Sequence, residues 1–166
     1  MRCGRNRRNT GGECLTLRSI GRDQRRPLCL LTERGGDEPD GTGKFIAAMF
    51  RAPAIADAVQ RLLCDQDGLI LGICNGFQAL LKLGLLPYGE IRDLDENTPT
   101  LTYNNIGRHI SQTVRVKVAS NLSPWLARVN VGDTHTIAVS HGEGRFYADV
   151  HTVAHLRRCG QIATQY

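Results

Sequence analysis

The stretch that most constrains this chain is Gly68-Leu69-Ile70-Leu71-Gly72-Ile73, six residues without a polar side chain. An unbroken apolar run bounded by glycine predicts a strand buried on both faces, as in a parallel sheet. Asn75 to Leu83 then shows helical spacing, and Gly84 suits the helix C-terminus. A strand that feeds directly into a helix is the building unit of an α/β fold. Upstream, Lys44 to Phe50 is a short apolar helix candidate. Pro53 to Cys64 reads as an amphipathic helix with proline at its first position and Ile55, Val59, Leu62 and Leu63 inward.

From about Tyr88 the pattern shifts to short extended pieces at Leu101–Tyr103, Thr113–Val118 and Thr136–Ser140. Ser123-Pro124-Trp125-Leu126 suggests a capped short helix, and His151 to Cys159 a last helix stopped at Gly160. The expected class is therefore α/β with an antiparallel-rich second half. At 166 residues the chain has room for one ordinary domain.

The charge divides the chain in two. The formal net charge is +5, yet residues 1–34 hold nine arginines against three acidic residues, +6, which leaves −1 for the rest. The first 34 residues show no periodicity beyond a short Leu28–Leu31 apolar run, and are expected to be an atypical, disordered Arg-rich segment. That arm lacks the interleaved aromatics that stack on bases, so a nucleic-acid partner is not expected. No apolar run approaches the roughly 20 residues of a membrane span. Six cysteines without a Cys-x-x-Cys pair argue against a zinc ribbon or a disulfide scaffold, and for a reduced, cytoplasmic protein. Asp40-Gly41-Thr42-Gly43-Lys44 resembles part of a phosphate-binding loop, but Glu38 and Phe45 stand where the full pattern needs glycine and a hydroxyl residue.

The chemistry concentrates at Gly72-Ile73-Cys74-Asn75-Gly76-Phe77-Gln78, where the strand stops and the helix starts. A cysteine in an apolar run is ordinarily an inert small hydrophobe. Here the flanking glycines and the strand-to-helix switch favour a nucleophile on a tight turn. The positive end of the helix favours its thiolate, and the Asn75 N–H is placed to stabilise an oxyanion. A thiol nucleophile needs a base and an orienting group. In Ser140-His141-Gly142-Glu143-Gly144-Arg145-Phe146, an extended backbone would put His141 and Glu143 on one face. His109, His135, His151 and His155 have no carboxylate two residues on.

These two motifs resemble those of the glutaminase-domain family of phosphoribosylformylglycinamidine synthases, class I, triad-type glutamine amidotransferases that serve purine biosynthesis. Also similar are Gly36-Asp37-Glu38-Pro39-Asp40-Gly41, Tyr88-Gly89-Glu90-Ile91-Arg92-Asp93, Ile106-Gly107-Arg108-His109, Ala119 to Leu126 and Gly160 to Tyr166, so the resemblance covers about residues 35–166. It implies a flavodoxin-like, open, mostly parallel sheet flanked by helices, truncated at both ends. It implies Cys74 as nucleophile forming a glutamyl thioester, His141 as proton shuttle and Glu143 as its orienting acid. Gln78, Asn75, Gly72 and Gly36 form the implied substrate-binding set. It implies no cofactor or metal in this domain. ATP and magnesium belong to the synthetase region that receives the ammonia and is the expected partner.

The chain departs from the family ahead of Gly35. The family has Pro-Gly-Gly-Phe-Ser there, with a glycine that completes the oxyanion hole, where this chain has Leu30-Leu31-Thr32-Glu33-Arg34. That departure predicts a partial sequence with residues 1–34 read from another frame. Two alternatives remain: an impaired fragment that only binds a synthetase partner, or a thiol-dependent ester or lactone hydrolase built on the same turn.

Overall fold

The computed structural model describes residues 27–32 and 42–166; Gly36 and most of the Arg-rich segment lie outside them. In the first half, strand β1 (Leu28–Thr32) is followed by helices α1 (Thr42–Phe50) and α2 (Pro53–Cys64), strand β2 (Leu69–Ile73) and helix α3 (Asn75–Leu83). Helix α2 starts at Pro53 as expected, and α3 ends at Gly84, whose φ of 80° is the left-handed conformation a glycine cap supplies. Strands β1 and β2 pair in parallel, with Cys29 opposite Ile70 and Leu31 opposite Gly72. The class is the expected α/β.

Two expectations about these strands are corrected. Leu28–Thr32 falls inside the segment read as disordered, but it is a regular strand. Five residues in an arginine-rich context carry too little pattern to stand out; what makes them a strand is pairing with β2, some 40 positions away. Strand β2, expected to be buried on both faces, is half-buried, and Ile73 is 51% exposed. Among the described residues β2 pairs with β1 alone. The core lies where Cys29, Leu31 and Ile70 meet Ala47, Val59, Leu63 and Leu80 of the helices. On the opposite face of β1, Leu28 and Leu30 are 55% and 53% exposed.

The second half opens with a short helix α4 (Leu85–Tyr88) and is otherwise antiparallel, as expected. Strand β3 (Thr100–Thr102) pairs with β6 (Arg145–Tyr147), and β4 (Ile110–Val118) lies between β5 (Thr134–His141) and β7 (Thr164–Gln165). Helix α5 (Val150–Arg158) is capped by Asp149, which accepts from the backbone N–H groups of His151 and Thr152. Hydrogen bonds from Thr152 hold the Asp149 carboxyl below its ordinary range. The Ser123 segment forms a three-residue 3-10 turn, Pro124–Leu126, without a side-chain cap. Among the described residues no helix is long and apolar enough to cross a membrane.

This architecture delivers the site in two pieces. The turn from β2 to α3 carries Cys74. The end of β5, pinned through the Ile110–His141 pairing, carries His141. Helix α3 packs against β3 and ties the two halves together.

Candidate active site

Cys74 joins β2 to α3 with φ 56° and ψ −118°, a backbone conformation side-chain-bearing residues rarely adopt. Its carbonyl oxygen accepts from the backbone N–H groups of Phe77, at 2.9 Å, and Gln78, at 3.2 Å, so it is the first residue of the helix frame. The thiol is therefore exposed at the positive end of α3. Cys74 is free, and its Sγ lies 4.0 Å from Asn75 Oδ1. Cys29, the other free thiol among the described residues, is half-buried on β1, and burial raises its proton affinity. At neutral pH that disfavours its thiolate.

The glycines beside Cys74 serve packing. A Cβ on Gly72 would lie 2.6 Å from the Gly76 carbonyl oxygen and 2.6 Å from Leu80 Cδ1, and a Cβ on Gly76 would run into the carbonyl oxygen of Leu31. They let α3 sit directly on β1 and β2. Gly72, implied as substrate-binding, lines a separate, mostly apolar cavity of about 290 Å³ between β2 and Ser123, Pro124, Trp125, Gly160, Gln161 and Ala163.

The other described residues of the implied set come together. Cys74, Asn75, Gln78, His141 and Glu143 all line one cleft of about 330 Å³, closed by Ile73, Leu101, Ala138 and Tyr166. Asn75 and Gln78 are 4% and 8% exposed, and each has a side-chain atom without a partner among the described residues: the Asn75 Nδ2 donor and the Gln78 Oε1 acceptor. A buried polar atom left without a hydrogen bond costs about 1–3 kcal/mol. Two of opposite kind beside a thiol suit a ligand that carries both donors and acceptors.

Glu143 departs from the geometry expected of it. Strand β5 ends at His141 and the chain bends at Gly142 and Glu143, so the alternation of an extended strand does not carry across. The Glu143 carboxylate accepts from Gln78 Nε2 at 3.4 Å. Among the described residues the partner of His141 Nδ1 is Asn104, whose Oδ1 lies 2.9 Å away. Asn104 follows β3, and the pairing of Thr102 with Arg145 sets it beside residues 142–144. It was not singled out from sequence. Its only local signal is the Asn104-Asn105 pair after an extended piece, which reads as an ordinary turn.

Residues 32–166 match the family model of the CobB/CobQ-like glutamine amidotransferase domain. The phosphoribosylformylglycinamidine synthase subunit PurQ of Trichormus variabilis is 39% identical over 115 residues, 69% of this chain and 46% of that protein. Its counterpart in Gloeobacter violaceus is 33% identical over 119 residues, 72% of this chain and 46% of that protein. That of Moorella thermoacetica is 37% identical over 114 residues, 69% and 42%. This chain thus spans less than half the length of these relatives. The structure of PurLQS from Thermotoga maritima aligns at a TM-score of 0.44 and 19% identity, over 75% of this chain and 71% of that one.

Proposed function

The chain belongs to the CobB/CobQ-like glutamine amidotransferase family, and we propose that it supplies ammonia by hydrolysing the side-chain amide of glutamine. The relatives named as subunits of phosphoribosylformylglycinamidine synthase support a place in purine biosynthesis. The partner is then the synthetase part of that enzyme, which uses ATP and magnesium and consumes the ammonia. The free Cys74 thiol fits a reducing cytoplasm, although Cys64 and Cys159 are disulfide-bonded, contrary to the fully reduced chain expected from the cysteine spacing.

In this reading Cys74 Sγ attacks the amide carbon of glutamine while His141 takes the thiol proton. The oxyanion that forms lies against the Asn75 N–H at the start of α3. His141 returns the proton to the departing nitrogen, the C–N bond breaks, and ammonia leaves a glutamyl thioester on Cys74. Water then attacks the thioester, again through His141, and glutamate leaves. A positioned base of this kind contributes about 10²- to 10⁴-fold. The Asn75 Nδ2 and Gln78 Oε1 atoms meet the polar groups of bound glutamine, and Glu143 steers the Gln78 amide.

The observation that carries this reading is the single cleft that holds the Cys74 thiol, His141 and two buried amide atoms without a partner among the described residues. The test is ammonia release from glutamine. The chain should release ammonia and glutamate in equal amounts, and Cys74→Ala should release none. Gln78→Leu should raise KM about tenfold with a smaller change in kcat. Ester hydrolysis without ammonia release from glutamine would replace this proposal with a thiol esterase.

A further inference from the structure

We infer that the Asn75 side chain is a further catalytic residue. Its Nδ2 donates to the oxyanion that forms when Cys74 attacks an acyl carbon, beside the donation from its own backbone N–H. That the acyl group is the glutamine amide rests on the glutaminase reading above; the place of the donor rests on the geometry around Sγ.

Asn75 is the first residue of α3, is buried, and lines the Cys74 cleft. Its Oδ1 lies 4.0 Å from Cys74 Sγ, a contact with a weak thiol donor. Among the described residues its Nδ2 has no partner. Buried amides ordinarily satisfy their donors, because an unpaired one is costly. An amide left in that state beside a nucleophile is available for a bond made during the reaction. No hydrogen bond pins Nδ2, so a half-turn about Cβ–Cγ exchanges Oδ1 and Nδ2 and gives up only the thiol contact. Gln78 offers no such donor. Its Nε2 already reaches Glu143 at 3.4 Å, and its unpaired atom, Oε1, is an acceptor.

The reaction needs a donor at this place. As the S–C bond forms, the carbonyl π pair moves onto oxygen, and that oxygen sits on the carbon now bonded to Sγ. An amide with an atom 4.0 Å from Sγ can therefore set an N–H at the about 2.7–3.1 Å that an oxyanion bond requires. The Asn75 backbone N–H lies in the first turn of α3, where helix N–H groups have no intrahelical acceptor. One residue thus offers a main-chain donor and a side-chain donor. Loss of the thiol proton drives the half-turn: Oδ1 accepts from S–H, but it is repelled by a negative sulfur, which favours Nδ2 in its place. When the electron pair returns to the carbonyl, the C–N bond breaks and the amide is released.

The test follows three reactions of Cys74 in the full chain and in its Asn75→Leu and Asn75→Ala variants. They are ammonia release from glutamine, acylation by p-nitrophenyl acetate above the Cys74→Ala background, and alkylation by iodoacetamide. The first two pass through an oxyanion. The third displaces iodide at a saturated carbon and forms none. In both variants kcat for glutamine should fall about 100-fold with little change in KM, and acylation should slow in parallel. Alkylation should keep its rate. A merely structural role would slow all three together, and that result overturns the proposal. Unchanged acylation overturns it too. Leucine keeps the shape of asparagine and removes the unpaired donor, so Asn75→Leu should fold; if it does not, Asn75→Ala decides by the same comparison. A chain whose acylation depends on Asn75 but which releases no ammonia would overturn the glutaminase reading and leave the oxyanion donor standing.

Discussion

At Cys74 the backbone is held at φ 56° and ψ −118° by the end of β2 and the first turn of α3. Such a conformation costs a side-chain-bearing residue about 1–3 kcal/mol, and glycine much less. If the strain is kept for the exposed placement of the thiol, removing the side chain should release it. Cys74→Gly is expected to be about 1 kcal/mol more stable than Cys74→Ala, both variants being inactive. Urea unfolding of the two checks this, and equal midpoints would show that the turn relaxes without cost. Of the residues that line this cleft, Cys74 and His141 stand out in the sequence because each sits in a short motif with local chemical signals. Asn104 does not, because its contact with His141 exists only once β3 pairs with β6. Glu143 reaches the same cleft as His141, as its spacing led one to expect, but past the bend at Gly142 its hydrogen bond goes to Gln78.

Among the elements, α3 does the positioning. Its N-terminal turn rests on β1 and β2 with only glycine between them. Gly76→Ala should therefore force α3 away from the Leu31 carbonyl and destabilise the fold by about 1–3 kcal/mol. The displaced Cys74 should also lose its reactivity. A lowered urea midpoint together with slowed thiol alkylation is the expected outcome; an unchanged alkylation rate would separate packing from the site. Helices α2 and α3 were readable because periodicity and end signals are written within a dozen residues. For β1 the deciding partner is distant in sequence. The half-burial of β2 was equally hidden, since an apolar run reports what a strand can tolerate and not how many neighbours it has.

For the molecule as a whole, the net charge of +5 does not describe the part that carries the chemistry. The excess lies in residues 1–34, and residues 35–166 carry −1. The site forms where a parallel β/α half and an antiparallel half meet, which is why neither motif alone builds it. The half-exposed face of β1, with Leu28 and Leu30, is unusual for a parallel pair, whose faces are ordinarily both covered. The central claim is that Cys74 is the nucleophile of a glutamine site. Its most direct test is reaction of the full chain with a glutamine-mimicking electrophile, read by mass spectrometry with and without glutamine. One adduct at Cys74, none at the half-buried Cys29, and marked slowing by glutamine are expected. Labelling that glutamine does not slow, or that falls equally on Cys29, would contradict it.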